Sequence, residues 1–119
     1  MQHSMKLLEN PYERISSGKK TIEIRLYDEK RQELNVGDII EFSKLPDLED
    51  KVKVKIIALL RYESFRNLVN DFGMEYYGYP KDHSTDEFVN SIYTIYSKEK
   101  EQQHGVLGIK IRLLNGAQD

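Results

Sequence analysis

A chain of 119 residues suits one domain, residues 1–119, around one hydrophobic core. With 39% hydrophobic and 32% charged residues it has the composition of a globular protein, and no apolar run nears the ~20 residues of a bilayer-spanning helix. It has no cysteine, which excludes disulfides and thiolate catalysis, and its net charge of −2 excludes a domain that coats duplex nucleic acid through a broad basic surface.

Residues 5–8 read as a short first strand. Asn10 then suits a helix N-cap with Pro11 at the first helical position, and the helix runs over residues 12–17. Gly18 follows, a residue that takes a positive φ at little cost just past a helix end. From Thr21 the pattern alternates. Ile22, Ile24 and Leu26 point one way, and Thr21, Glu23 and Arg25 the other. Side chains two apart on one face of a strand lie roughly 6–7 Å apart, so Glu23 and Arg25 are neighbours, with Lys20 at the mouth of the strand.

Residues 27–34 are charged and read as a turn or one helical turn. Gly37-Asp38 reads as turn chemistry entering a strand over 39–42. Residues 44–50 read as a loop around Pro46. In residues 51–57 Lys51, Lys53 and Lys55 share one face and Val52, Val54 and Ile56 the other, a half-buried strand continuing into the core through Ile57 to Leu60. The lysine stripe fits a solvated sheet face better than a phosphate site.

Ser64 suits an N-cap for a helix with Phe65, Leu68, Val69 and Phe72 on its apolar face, ended by Gly73. Residues 74–80 form a loop carrying Tyr76, Tyr77 and Tyr79, rings that either stack on a base or roof a small core. Ser84 or Thr85 caps the next helix, whose inward face is Phe88, Val89, Ile92, Ile95 and Tyr96. Residues 98–103 read as its solvated, frayed end, 105–114 as the last strand, and 115–119 as a tail. Strands without regular crossover helices predict an α+β fold: a small, mostly antiparallel sheet or barrel with two to three covering helices.

The run Gly18-x-Lys20-x-x-Glu23-x-Arg25 resembles the signature of the ASCH domain (ASC-1 homology domain) family. Pro11-Tyr12-Glu13-Arg14-Ile15 before it and Val36-Gly37-Asp38-Ile39-Ile40-Glu41-Phe42 after it fit the same pattern. So do Arg61-Tyr62-x-Ser64-Phe65, Gly78-Tyr79, Tyr96-Ser97 and Gly105-Val106-Leu107-Gly108-Ile109, which resemble landmarks of small bacterial stand-alone members. The resemblance implies a PUA-like β-barrel with a cleft beside the signature residues, and RNA or a nucleoside- or nucleotide-like molecule as ligand. One small bacterial branch hydrolyses N4-acetylcytidine to cytidine and acetate. Its catalytic lysine matches Lys20, its catalytic threonine is replaced here by Glu23, and its catalytic glutamate falls near Lys81, with Glu75 close by.

The expected ligand contacts are therefore Lys20, Glu23, Arg25, Thr21 and Tyr79, with Lys20 and Glu23 catalytic if the protein is an enzyme. Two chemistries fit the residues. In a binding module, Glu23 accepts from a base amino group while Lys20 and Arg25 hold phosphate or carbonyl oxygens. In an amidohydrolase, Glu23 acts as base on water and Lys20 stabilises the oxyanion. A third possibility is an ion cluster that only closes the barrel end. His3, His83 and His104 are scattered and read as solvent-exposed or terminal, no pair has metal spacing, and no cofactor is expected. Residues 1–5 lack the basic and apolar regions of a secretion signal, so the cytoplasm is the expected location, with no membrane partner.

Overall fold

Alternating apolar residues become five strands in the computed structural model, which describes residues 1–114: Gln2–Leu7 (β1), Ile22–Leu26 (β2), Ile39–Lys44 (β3), Lys51–Tyr62 (β4) and Val106–Leu113 (β5). They form one sheet in the order β1-β3-β4-β5-β2. Pairing is antiparallel for β3–β4, β4–β5 and β2–β5 and parallel for β1–β3, as the mostly antiparallel expectation requires. The sheet curls into a half-barrel, so its two edge strands, β1 and β2, approach each other without pairing.

Both faces of the sheet are covered. The inner face buries Leu7 of β1, Ile40 and Phe42 of β3, Val54 and Ile56 of β4, and Leu107, Ile109 and Ile111 of β5. Tyr12 and Ile15 of a first helix, Glu9–Ser16 (α1), plug this core. The outer face carries Ile22, Ile24 and Leu26 against Phe65, Leu68 and Val69 of Phe65–Asp71 (α2) and Phe88, Val89 and Ile92 of Thr85–Ile92 (α3). Gly108 makes that docking close: a Cβ there would lie 2.9 Å from the Leu68 Cδ1 atom.

The caps expected at Ser64 and Ser84 form, with their side chains accepting from the amides of Asn67 and Glu87. Gly18 has φ +80°, as expected past a helix end. Other expectations are corrected. β1 begins at Gln2, and α1 begins at Glu9 with Leu8, not Asn10, in the capping position. Pro11 still lies in the first turn, where an amide has no intrahelical acceptor to lose. Residues 31–33 do form one helical turn, of 3-10 type, within the turn or single helical turn expected over 27–34. Ile57 sits at a register shift between β4 and β5 and is 42% exposed, out of the core. Ile95 lies beyond the end of α3 and is 62% exposed.

Among the described residues four α-helices form where two to three covering helices were expected. Residues 98–103 are not a frayed end but part of a fourth helix, Lys98–His104 (α4), capped by Ser97. Its Glu101 is buried, accepting from the Phe65 amide at 2.8 Å and from the Tyr93 hydroxyl at 2.7 and 2.8 Å. That carboxylate satisfies an amide in the first turn of α2 that the helix itself leaves without a partner. The tail expected at 115–119 lies outside the described residues.

Candidate functional site

On β2 the period of two puts Ile22, Ile24 and Leu26 against the helices and turns Glu23 and Arg25 inward, opposite Ile109 and Leu107 of β5. Lys20 precedes the strand. Its amide donates to the Arg14 carbonyl at 2.9 Å and it bridges Tyr77, which fixes the residue between α1 and the tyrosine loop. The three charged side chains converge. Lys20 Nζ lies 2.8 Å from Glu23 Oε1, and Arg25 Nε donates to Glu23 Oε2 at 2.8 Å. Arg25 Nη2 donates across the seam of the half-barrel to the Lys6 carbonyl of β1 at 3.0 Å.

Burial alone would raise the Glu23 pKa, but Lys20 and Arg25 outweigh it and hold the carboxyl at about 2. Burial likewise works against the Arg25 charge, and Glu23 more than restores it, so its pKa is raised. Two basic side chains against one carboxylate give the cluster a formal excess of one positive charge. Among the described residues, the two remaining N–H bonds of the Lys20 ammonium and the Arg25 Nη1 group make no hydrogen bond within the protein.

These groups open onto a cavity of about 230 Å³ in the gap between the two edge strands. Its lining also includes Leu8 of the β1–α1 junction, Arg14 of α1, Tyr79, Ile92 of α3 and Tyr96. Lys6, Arg14, Lys20 and Arg25 give it four cations against the single carboxylate of Glu23, inside a protein of net charge −2. The walls are otherwise largely apolar. Tyr96 stacks on Phe65, and its hydroxyl makes no hydrogen bond to the described residues. Burial raises its pKa, partly offset by Arg25.

The tyrosine loop divides. Tyr77 is fully buried and its hydroxyl donates to the Leu68 carbonyl, so it is core. Tyr76 is 38% exposed, packs edge-on against Phe72 and does not line the cavity. Tyr79 does line it, with the Arg14 guanidinium 4.2 Å from its ring centre and His83 and Phe88 against it. Gly78 allows this arrangement: it has φ +86°, and a Cβ there would lie 2.8 Å from Arg14 Cδ.

The alignment of the chain with a family model decides its relationships: the ASCH domain matches residues 5–115. The chain belongs to the ASCH domain family. Two solved structures are similar to it. Hypothetical protein PH0355 is 37% identical with TM-score 0.83, over 96% of this chain and all of that one. Protein PF0455 from Pyrococcus furiosus is 36% identical with TM-score 0.76, over 97% of this chain and 99% of that one. No curated protein matches.

Within this ASCH domain the structure brings Lys20, Glu23, Arg25 and Tyr79 to one cavity. Thr21 does not line that cavity. Its backbone bonds to Tyr76 and Ile111, and it borders a separate space of about 160 Å³ with Ile15 and Gly18. Glu75 borders a surface depression beside Lys19, so no second carboxylate joins Glu23 in the cavity. The lysine stripe of β4 lies elsewhere, with Lys51 and Lys53 beside Gln2 and Glu41. The histidines are less exposed than expected: His83 stacks on Tyr79, and His3 Nε2 lies 2.8 Å from Oδ2 of the buried Asp38. Asp38 also accepts from the Asn35 amide, the turn chemistry its sequence suggested, and these bonds, His3 first, lower its pKa. Among the described residues no group of three or more His, Asp or Glu is arranged to hold a metal ion, and no helix is long and apolar enough to cross a membrane.

Sequence reasoning missed Arg14 and Tyr96 as cavity residues. Arg14 carried a signal, since it sits in the short helix before the signature. Tyr96 carried one only through the Tyr96-Ser97 landmark, since by periodicity it reads as one more apolar position after Ile92.

Proposed function

We propose that the cleft of this ASCH domain binds RNA or a modified nucleotide, with one nucleoside seated in the cavity. The observation that carries this reading is the Lys20–Glu23–Arg25 cluster opening onto an apolar, aromatic-walled space with donors left over. A carboxylate offers about four acceptor positions, and Glu23 uses two within the cluster, so an exocyclic amino group has an acceptor available. Lys20 and Arg25 supply donors for a base carbonyl. The volume, about 230 Å³, lies below the ~300–1,000 Å³ of drug-sized clefts and suits a single small guest. The ring of Tyr79 and the faces of Ile92 and Tyr96 provide apolar contact for a flat heterocycle.

Hydrolysis of an acylated nucleoside has weaker support. A general base works best with a pKa near the working pH, and a carboxyl held at about 2 by two cations is a poor one. Among the described residues the cavity also holds no carboxyl group besides Glu23, so no second carboxylic acid stands ready to protonate a leaving amine.

Titration of the four common ribonucleosides, N4-acetylcytidine and short RNAs, at low and high salt, tests the reading. Saturable binding of at least one nucleoside, weakened by Lys20→Met, is expected. Absence of binding by all of them at both salt concentrations would remove the proposal. Release of acetate from N4-acetylcytidine, lost on Lys20→Ala or Glu23→Ala, would favour the hydrolase instead.

A further inference from the structure

Across the seam from the nucleoside cavity lies a second hollow of about 460 Å³. It is bounded by His3, Ser4 and Lys6 of β1 and by the segment Lys30, Arg31 and Glu33, and it shares Lys6 and Arg25 with the first cavity. Its walls are polar and cationic. Lys6, Arg25, Lys30 and Arg31 face it, with Glu33 as the carboxylate in its lining. His3 is engaged with Asp38 through Nε2.

Arg31 is the informative residue. Its Nε is buried and makes no hydrogen bond. Its Nη1 stands 3.7 Å from Asp28 Oδ1, beyond hydrogen-bond length, while that same carboxylate oxygen accepts from the Arg31 amide at 3.1 Å. Asp28 therefore fixes the backbone of this turn and pairs with the guanidinium only at ion-pair distance, leaving Nε without an acceptor. Buried donors without acceptors are rare in folded proteins, and a guanidinium fork matches the oxygens of a phosphate. Lys6 and Lys30 are exposed and have no ion-pair partner among the described residues.

We propose that this hollow is the phosphate subsite of the nucleoside cavity. The inference rests on the reading of that cavity given above and narrows it. The ligand carries phosphate next to the seated nucleoside, as in a nucleotide or an RNA strand, and the backbone passes over Arg25 and Lys6 toward Lys30 and Arg31. Arg25 stands at the junction, holding Glu23 on one side and facing the phosphate space on the other.

The test compares each ribonucleoside with its 5′- and 3′-monophosphates by calorimetry and by amide chemical-shift titration of the full chain. At low salt, a monophosphate is expected to bind about tenfold or more tightly than its nucleoside, a preference that shrinks as salt rises because the contact is ionic. The Lys30 and Arg31 amides should shift with the monophosphates and not with the nucleosides. Lys30→Gln, at an exposed position, and Arg31→Gln together should erase the preference while nucleoside affinity stays, and Arg31→Lys should restore part of it. Equal affinity for nucleoside and monophosphate, or a preference that survives both substitutions, overturns the phosphate subsite. If monophosphates shift Lys20, Glu23 and Tyr79 but not Lys30 and Arg31, the subsite falls and the nucleoside cavity stands. If neither ligand class shifts any of these amides, both fall.

Discussion

Arg25 on one edge strand of the sheet donates from Nη2 to the Lys6 carbonyl on the other edge strand, at 3.0 Å. The two strands never pair, so this side chain does across the gap what a backbone ladder would do in a closed barrel. The same guanidinium holds Glu23 through Nε at 2.8 Å. The fork geometry of arginine makes both bonds possible from one planar group, and the gap they span is the cavity itself.

Arg25→Lys tests that double duty. A single ammonium cannot reproduce two bonds in fixed directions, so the variant is expected to lose about 1–3 kcal/mol by urea denaturation. Unchanged stability would mean that the seam holds without the Arg25 bridge.

Glu23→Gln should be more damaging, because it leaves Lys20 and Arg25 buried without their counter-charge, a loss of about 3–5 kcal/mol for a broken buried pair. The pH dependence follows from the same residue. Its carboxyl sits at about 2 in the folded protein against an ordinary glutamate value of 4.5, so the native state binds fewer protons than the unfolded chain between those values. The stabilisation is full above about pH 4.5 and is lost as pH falls toward 2. Denaturation measured across this range should show a falling stability in the wild type and a flatter profile in Glu23→Gln. Parallel profiles would contradict the assignment.

Much of this site was legible because it is local. Two-residue alternation placed Glu23 beside Arg25, and Lys20 needed only a helix end at Gly18 to stand next to them. The caps at Ser64 and Ser84 are local in the same sense. What could not be read is non-local. Nothing in residues 98–104 shows an apolar stripe, so α4 looked like a frayed end. Its burial comes from one carboxylate meeting the start of α2 thirty-six residues away. The approach of β1 to β2 is likewise invisible, because it depends on the curl of the whole sheet. The tyrosine loop offered three similar rings, and only packing separates the buried Tyr77 from the cavity-lining Tyr79.

Glu101→Ala should reveal the role of α4. It strips the Phe65 amide and the Tyr93 hydroxyl of their acceptor, at a cost of about 1–3 kcal/mol. The Tyr93 phenol, which burial and its bond to Glu101 push up to about 12, should ionise at lower pH in the variant. An unaltered melting temperature would show that the helix is dispensable to the core.

Gly108→Ala introduces a methyl group 2.9 Å from Leu68 Cδ1, where β5 meets α2. Overpacking of this kind typically costs about 1–3 kcal/mol. Adding Leu68→Ala should recover part of the loss by vacating the space, and a double variant no better than the sum of the two singles would place the strain elsewhere.

The most direct test of the cleft is a crystal structure grown with a saturating ribonucleoside monophosphate. The expected result is a base within hydrogen-bond distance of Glu23 and of Lys20 or Arg25, against Tyr79 and Tyr96. A ligand bound anywhere else, with the Lys20–Glu23–Arg25 cavity still vacant, would contradict the account.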